Sequence, residues 1–274
     1  IGLHFFNPPP LMKLVEVVRG GNSSPQALDR ATALVRSWGK TPVRCTSTPG
    51  FIVNRVARPF YGEAQRMAQR GSASPADLDL ALTRYAGFAM GPFRLTDLIG
   101  QDVNYAVGES VWEQTDRDPR YEPTAYQKDL VDAGTLGRKS GRGVYAYGED
   151  GAPQDAEGDE FAARALATGP VESNVVARTL SMLVNEAVDL VHRGEATRED
   201  VDTAMRLGTN YPKGPFEWLD ELGAATVLEN LRVMDAAYPG GRYRPSEALV
   251  ALVAGAVEDG EAHTQKQNAR GDDA

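Results

Sequence analysis

The sequence predicts a mainly α-helical protein that opens with a short α/β segment. Two strand-like runs, a helix and a third strand-like run lie before residue 48. Beyond them apolar residues recur at helical spacing, and one helical pattern occurs twice along the chain. These observations predict the trailing β–α–β edge of a doubly wound, Rossmann-like domain, followed by two tandem helical units.

The opening segment alternates strand and helix signals. Leu3–Phe6 and Leu14–Val18 favour strands, and the proline-rich turn Asn7-Pro8-Pro9-Pro10 between them cannot continue a regular ladder. Ser24-Pro25 is typical of a helix start, and Thr41–Cys45 predicts the next strand. Because so few strands would not cover their own faces, we expect this segment to be part of a larger domain.

The next region is helical from Thr48 onward. Apolar residues form one stripe of the predicted helix Phe51–Arg70. Pro59 inside this helix predicts a kink near Arg55–Arg58, since proline costs about 3 kcal/mol in a regular helix. Beside the apolar stripe runs a polar one, made of Asn54, Arg58, Tyr61 and Gln65.

A repeat links the two helical regions. Residues 54–100 match residues 177–223, 123 positions later, at 14 of 47 positions without a gap. Two helical hairpins with acidic starts could look alike by chance, but a shared Gly-Pro-Phe in identical register favours duplication. The matches include Glu63/Glu186, Gly71/Gly194, Asp77/Asp200, Asp79/Asp202, Gly91/Gly214, Pro92/Pro215, Phe93/Phe216, Asp97/Asp220 and Gly100/Gly223.

The pattern divides the chain into five parts. We predict that the two helical units pack against each other about a pseudo-twofold axis, because the helix that begins near Val175 is apolar over more than one stripe. The last residues lack apolar periodicity, so a disordered tail is expected there. The predicted parts are residues 1–47 (domain remnant), 48–147 (first helical unit), 148–169 (linker), 170–257 (second helical unit) and 258–274 (tail).

Composition excludes several classes of protein. A net charge of −9 argues against a general nucleic-acid or anionic-membrane surface. The single cysteine, Cys45, excludes an internal disulfide and a thiolate metal cluster, and it suits a reducing cytoplasm. No apolar run approaches the roughly 20 residues that a membrane span needs. We therefore expect a cytoplasmic protein without a metal site, and one that begins inside a longer chain because residue 1 is Ile1.

His4 is the leading candidate for chemistry. The chain has three histidines, and the other two lie in a predicted helix and in the polar tail. A histidine on an apolar strand is commonly structural. Glu16 on the neighbouring strand favours another role, because a carboxylate beside an imidazole orients the ring and stabilises the imidazolium. Such a pair suits a general base that takes a proton from an alcohol while hydride leaves for a nicotinamide.

Three motifs resemble those of the L-3-hydroxyacyl-CoA dehydrogenase family. They are His4-Phe5-Phe6-Asn7-Pro8 with Met12–Glu16, then Thr48–Arg55, then Gly137–Tyr145, in the family's order and spacing. The resemblance covers residues 1–147 directly and residues 170–257 as a second copy of the family's C-terminal domain. It identifies the first segment as the end of an NAD-binding domain.

The resemblance implies roles for five residues. His4 is the catalytic base, Glu16 orients it, and Asn54 hydrogen-bonds the reacting groups. Asn7 lies against the nicotinamide end of the cofactor, and Lys139 reaches a cofactor phosphate or ribose. From the residues alone, Asn54 could equally be a first-turn helix residue, and the loop around Lys139 a solvated basic turn. Further basic residues that could meet CoA or dinucleotide phosphates are Lys13, Arg55, Arg58, Arg138 and Arg142.

The implied activity is NAD-dependent conversion of (S)-3-hydroxyacyl-CoA to 3-oxoacyl-CoA in fatty-acid or phenylacetate-type aromatic degradation. The glycine-rich dinucleotide fingerprint would lie upstream of Ile1, so weak or absent NAD binding and no activity are expected of this chain alone. The second copy has Ala177 where the first has Asn54, which argues against catalysis there. Residues 210–218 resemble bacterial members that act on short or dicarboxylic acyl groups, which is weak evidence on the substrate.

Two other functions remain open from the sequence. One is a non-catalytic helical module that binds acyl-CoA or dimerises, and the other is a different hydroxyacid dehydrogenase with a helical tail. The second would not require the His-Phe-Phe-Asn-Pro segment. Acyl-CoA is the expected partner, and association into a homo-oligomer is also open.

Overall fold

A computed structural model describes residues 1–255. Its first element is a three-stranded sheet in the order β1 (Gly2–Phe5), β2 (Leu14–Arg19) and β3 (Thr41–Thr46). Strand β1 is antiparallel to β2, and β3 is parallel to β2 through helix α1 (Pro25–Ser37). The predicted β–α–β edge is therefore present, and each strand boundary lies within one residue of its expected position.

The sheet register places His4 directly opposite Glu16 on the paired strands β1 and β2. The proline-rich turn that joins these strands is held by Lys40, whose Nζ donates to the carbonyl oxygens of Pro9 (2.6 Å) and Met12 (2.8 Å). Because side chains on paired antiparallel strands project to the same face at opposed positions, this register brings the two candidate residues together.

The helical region begins with α2 (Val53–Val56) and α3 (Arg58–Gln69). The two helices are separated at Ala57, so the predicted kink before Pro59 is confirmed. The apolar stripe of this segment is buried, with Val56 and Ala64 fully inaccessible. Of the polar stripe, Asn54 and Arg58 are partly exposed, whereas Tyr61 and Gln65 are buried.

Four more helices complete the first helical unit: α4 (Pro75–Ala86), α5 (Pro92–Ile99), α6 (Gln101–Gln114) and α7 (Ala125–Asp132). Asp79 joins α4 to α5, since its carboxylate accepts the N–H groups of Phe93 (2.9 Å) and Arg94 (3.0 Å). A side chain at Gly91 would lie 2.3 Å from that carboxylate. This contact explains the glycine of the Gly-Pro-Phe motif.

The predicted linker, residues 148–169, is itself folded. It contributes β5 (Pro153–Gln154), which pairs with β4 (Ala146–Tyr147), and then α8 (Glu160–Thr168). The Asp159 side chain caps α8 by accepting the N–H of Ala162. Ala163 and Leu166 of α8 are buried, and the helix packs on α4. This helix was not predicted, because its short apolar face is buried against α4, which is distant in the sequence.

The second helical unit comprises α9 (Val175–His192), α10 (Arg198–Thr209), α11 (Pro215–Leu222) and α12 (Ala224–Ala237), and residues 247–255 are helical as well. Fourteen of the 18 residues of α9 are buried, so the prediction that it is covered on more than one side is confirmed. The predicted tail, 258–274, lies outside the described residues.

Helices α2 and α3 both pack against α9 and form ion pairs with it. Arg178 of α9 donates from Nη2 to Glu63 of α3 at 3.0 Å, and Arg55 of α2 donates from Nε to Glu186 of α9 at 2.5 Å. Each of the four side chains is nearly or fully buried. Within residues 1–255, no helix is both long and apolar enough to cross a membrane.

Candidate active site

His4 and Glu16 form a hydrogen-bonded pair. The Nδ1 atom of His4 lies 2.5 Å from Oε2 of Glu16. The Glu16 side chain is fully buried, whereas the His4 side chain is 31% exposed. The pair therefore has a buried, fixed acid on one side and an imidazole that reaches the surface on the other.

The second oxygen of Glu16 holds the start of α2. Its Oε1 accepts the backbone N–H groups of Ile52 (3.0 Å) and Val53 (2.9 Å). These N–H groups have no partner within the helix because they belong to its first turn. Glu16 thus connects the strand that carries His4 to the helix that carries Asn54. Main-chain donors leave no signature in the sequence, so sequence reasoning missed this contact.

The turn before α2 depends on unusual backbone geometry. Gly50 has φ +77° and Phe51 has φ +49°. A side chain at Gly50 would approach the backbone nitrogen of Arg55 to 2.9 Å. Glycine permits both the left-handed conformation and this close approach. The Pro-Gly-Phe sequence is therefore what lets residues 52 and 53 turn their N–H groups toward Glu16.

The contacts of the imidazole determine what it can do. With Nδ1–H donating to the carboxylate, Nε2 carries the free lone pair and can accept a proton. No side-chain hydrogen bond involves Nε2 among residues 1–255. The ring lies beside Phe6 and Phe51, with ring centroids 4.7 and 5.6 Å away. The imidazole thus packs against two aromatic rings while part of it stays exposed.

Asn54 lies on α2 just after the two residues bound by Glu16. Its side-chain amide makes no hydrogen bond to any described residue, while its backbone oxygen accepts from Arg58 Nε at 2.8 Å. Because the amide is not used in helix capping, it is free to bind another group. His4, Glu16 and Asn54 thus lie on three elements, β1, β2 and α2, which the hydrogen bonds of Glu16 connect.

The two candidate cofactor residues lie on different turns of the chain. Asn7 is exposed on the turn after β1, and its amide has no hydrogen-bond partner within the described part of the chain. Lys139 is 45% exposed and forms an ion pair with Asp102, Nζ to Oδ1 2.5 Å. The hydrogen bond from Lys139 lowers the pKa of Asp102. Neither Asn7 nor Lys139 hydrogen-bonds to the dyad.

The basic residues identified in the sequence do not converge on one phosphate site. Arg55 is buried and pairs with Glu186 and Glu195, the latter at 2.8 Å. Arg58 differs, because it lies partly buried one turn after Asn54 and has no carboxylate within 4 Å among the described residues. The polar stripe of the sequence already placed Arg58 beside Asn54, although its role as an unpaired cation was not foreseen.

The residues present fit one end of a dinucleotide. The free amide of Asn7 and the exposed edge of His4 could meet a nicotinamide and its carboxamide. The adenosine end relies on a glycine-rich turn and a helix N-terminus, and no G-x-G-x-x-G sequence occurs in the chain.

Comparisons with known proteins match most of the described chain to domains of one family. The 3-hydroxyacyl-CoA dehydrogenase C-terminal domain matches residues 50–147 and again 174–265, and the NAD-binding domain of 3-hydroxyacyl-CoA dehydrogenase matches residues 1–48. The crystal structure of a 3-hydroxybutyryl-CoA dehydrogenase from Escherichia coli K12 superimposes with a TM-score of 0.81 at 37% identity, over 95% of this chain and 71% of that one.

Two relatives of known sequence show how much of each chain is matched. A 3-hydroxyadipyl-CoA dehydrogenase from Escherichia coli is 39% identical over 90% of this chain and 68% of its own length. The mitochondrial hydroxyacyl-coenzyme A dehydrogenase of Sus scrofa is 43% identical over 53% of this chain. The chain spans 46% of the length of that mitochondrial enzyme.

Proposed function

The chain belongs to the 3-hydroxyacyl-CoA dehydrogenase family of NAD-dependent oxidoreductases, and from that premise we propose that His4, Glu16 and Asn54 carry the oxidation of (S)-3-hydroxyacyl-CoA to 3-oxoacyl-CoA. The observation that supports this most is the 2.5 Å contact between His4 Nδ1 and Glu16, which leaves Nε2 unpaired on an exposed ring edge. An imidazole oriented by a buried carboxylate through Nδ1 can accept a proton at Nε2.

In the proposed reaction, His4 Nε2 accepts the proton of the substrate hydroxyl. The O–H bond breaks as the C3–O bond becomes a carbonyl, and NAD, when bound, accepts the hydride that leaves C3. The imidazolium that forms is stabilised by Glu16, whose negative charge lies beside Nδ1 in a buried environment. Glu16 stays in place because its other oxygen is held by two backbone N–H groups.

Asn54 supplies the remaining polar contact. Its free amide lies on the helix that Glu16 anchors, so the base and the amide are positioned by one carboxylate. The amide donates to the substrate oxygen as that atom changes from hydroxyl to carbonyl. Asn7 is proposed to contact the nicotinamide end of the cofactor, and Lys139 its phosphate or ribose. To do so, Lys139 would leave its ion pair with Asp102 and bind the cofactor instead.

We further propose that the two helical units form an internal pseudo-dimer. Arg55 and Arg178 occupy matching positions in the repeat, as do Glu63 and Glu186. Each arginine pairs with the glutamate of the other unit. Such a reciprocal exchange is what a twofold interface produces, because residue i of one half meets residue j of the other. Ala177 in place of Asn54 leaves the second unit with a supporting role.

The substrate is proposed to be a short or dicarboxylic 3-hydroxyacyl-CoA, in fatty-acid or aromatic degradation. The support is the names of the relatives, which include a 3-hydroxyadipyl-CoA and a 3-hydroxybutyryl-CoA dehydrogenase. A cytoplasmic location stays a prediction from the single cysteine.

The test removes the base. With a complete NAD-binding domain supplied upstream, His4→Ala should lower the rate of NADH formation from (S)-3-hydroxybutyryl-CoA about 10²–10⁴-fold, which is the usual worth of general-base catalysis. Glu16→Gln should also lower kcat, with a smaller change in KM, because its charge acts on the transition state.

His192→Ala is the matched control, since His192 is exposed at the end of α9. This variant should keep normal turnover. A His4→Ala enzyme with near-normal kcat would remove the basis of the proposal.

A further inference from the structure

Arg58 differs from the buried arginines of the helical units. Arg55, Arg120, Arg178 and Arg242 each lie within 4 Å of at least one carboxylate. Arg58 has no such partner among residues 1–255, although it is partly buried between helices. A guanidinium removed from water without a counter-ion is unusual, because burying an unpaired charge is costly.

The bonds that Arg58 does make leave much of its capacity free. Its Nε donates to the Asn54 carbonyl at 2.8 Å and its Nη1 to the Asn104 carbonyl at 3.2 Å. The guanidinium also lies 5.0 Å from the ring centroid of Tyr61. A guanidinium has five N–H donors, and these neutral partners do not compensate its charge. Burial lowers the pKa of Arg58, which a bound anion would oppose.

A second unpaired polar group lies next to it. Tyr211, in the turn after α10, is only 5% exposed, and its hydroxyl has no hydrogen-bond partner among the described residues. Burial raises the pKa of Tyr211, the nearby Tyr61 hydroxyl raises it further, and Arg58 opposes both. The ring of Tyr211 packs on Phe60, the residue before Tyr61, with ring centroids 5.4 Å apart. A buried hydroxyl without a partner calls for an explanation, since nearly all such groups are satisfied in folded proteins.

This group lies beside the proposed catalytic residues. Arg58 follows Asn54 by one helical turn, about 6 Å along the axis. Helix α10, which leads into Tyr211, closes on the sheet: a side chain at Gly208 would lie 2.7 Å from Leu14 and 3.4 Å from the ring of Phe6. Phe6 in turn packs on His4. The end of helix α10 thus lies against Leu14 and Phe6, beside the residues proposed to act in catalysis.

We propose that Arg58, Tyr61 and Tyr211 bind the terminal carboxylate of a dicarboxylic 3-hydroxyacyl-CoA. The inference rests on the proposed function and names its substrate class. In a six-carbon dicarboxylic chain the terminal carboxyl carbon is three bonds of about 1.5 Å beyond C3. That span suits a hydroxyl held at Asn54 and a carboxylate held one turn farther along the helix.

The chemistry of the three side chains matches a carboxylate. Arginine binds carboxylates through paired N–H donors, and these charge-assisted bonds are stronger than neutral ones. A carboxylate would also accept from the two tyrosine hydroxyls and would neutralise Arg58. A substrate that ends in a methyl group would instead leave the charge and the hydroxyls unpaired. Such sites discriminate strongly against analogues that lack the bonded group.

The test compares two ligands that differ at one end. Isothermal titration calorimetry of the 274-residue chain would use (S)-3-hydroxyadipyl-CoA and (S)-3-hydroxyhexanoyl-CoA, which have the same number of acyl carbons, with CoA as the reference. Binding of the dicarboxylic ligand should be about 10- to 100-fold tighter, as for hydrogen bonds to a charged group. If the two acyl-CoA ligands bind equally well and both bind more tightly than CoA, this inference is overturned while the proposed function stands. Affinities no greater than that of CoA for both ligands would contradict the proposed function as well.

Variants identify the residues responsible. Arg58→Met should abolish the preference for the dicarboxylic ligand, and Tyr211→Phe should reduce it several-fold. Arg232→Met, at an exposed position of α12, should leave the preference unchanged. Circular dichroism melts check that each variant folds. Tyr211→Phe removes only an unbonded hydroxyl, so it stays informative if Arg58→Met unfolds. Equal loss of both ligands in Arg58→Met would place the anion on the CoA portion and overturn the proposal.

Discussion

The two helical units have the same framework but different surfaces at matching positions. Arg55 and Glu63 of the first unit recur in the second as Arg178 and Glu186, and all four are buried between the units. The polar stripe of the first unit does not recur. Its members Asn54, Arg58 and Tyr61 correspond to Ala177, Ser181 and Val184. The residues held in common therefore support packing, and those that differ are the ones proposed to act on substrate.

The buried glutamates show how closely the two units correspond. Glu63 is surrounded by Arg178, Arg242 and Tyr243 of the second unit. Glu186 is surrounded by the equivalent groups of the first unit, which are Arg55, Arg120 and Tyr121. The Arg-Tyr pairs are 122 rather than 123 residues apart and lie beyond residue 100, so a comparison without gaps did not reveal them.

The largest expected effect comes from removing one of these glutamate charges. Glu63→Gln should lower the free energy of unfolding by about 3–5 kcal/mol, because two buried arginines lose their counter-ion. Glu186→Gln should have a smaller effect, because Arg55 keeps its pair with Glu195 (2.8 Å) and Arg120 keeps its pair with Asp118 (2.9 Å). Chemical denaturation measures both. Asp220→Asn is the control, since its pair with Arg198 is exposed and should contribute less than about 1 kcal/mol.

The acid stability of the protein should depend on Glu63. Burial alone would raise the pKa of Glu63, but Arg242 and Arg178 outweigh it and lower the pKa from 4.5 to about 2. Since the folded state binds the proton less tightly, the stabilisation is present above pH 4.5 and is lost as the pH falls toward 2. Its size is about 3 kcal/mol.

Comparing denaturation of the natural chain with that of Glu63→Gln between pH 2 and 7 isolates this effect. Asp79 is present in both proteins, and its effect on stability has the opposite sign to that of Glu63. Burial raises the pKa of Asp79 to about 7, so its contribution to the free energy of unfolding falls as the pH rises from 3.8 to 7. A difference between the two proteins that stays constant over this pH range would contradict the role given to Glu63.

Exchanging the residues that differ should separate catalysis from packing. With the complete NAD-binding domain present, Asn54→Ala should lower kcat/KM about 10- to 100-fold, the loss expected for one hydrogen bond to a charge that develops in the reaction. The reverse exchange, Ala177→Asn, should leave turnover unchanged. Steady-state NADH formation measures both. Equal effects of the two exchanges would mean that the second unit also takes part in catalysis.

The smallest expected effect concerns the other asparagine near this position. Asn174 caps α9: its side chain accepts the N–H of Ala177 at 2.8 Å and donates to Ala167 and Gly169. Asn174→Ala should lower stability by about 1 kcal/mol, as for the loss of a helix cap, and leave kcat unchanged. Thermal denaturation and NADH formation together distinguish it from Asn54→Ala, which should show the reverse pattern.

Local signals predicted much of the fold. Ser24 and Ser74 accept from the N–H groups of the helices they start, and Gly87 ends α4 with a positive φ. These features depend on a few neighbouring residues, so one sequence suffices to find them. Helix α8 was missed because its burial depends on a surface of α4 that is distant in the sequence.

The sequence by itself determined the mainly helical class, the repeat, the kink before Pro59 and the candidate residues His4, Glu16 and Asn54, since each follows from residue type and short-range spacing. Only the tertiary structure decided how these residues are connected. The strand register set His4 against Glu16, and the fold then brought the N–H groups of Ile52 and Val53 to that carboxylate. The packing of Tyr211 on Phe60 spans more than 150 positions of the sequence. Contacts of this kind depend on the packing of whole elements, which local spacing does not encode.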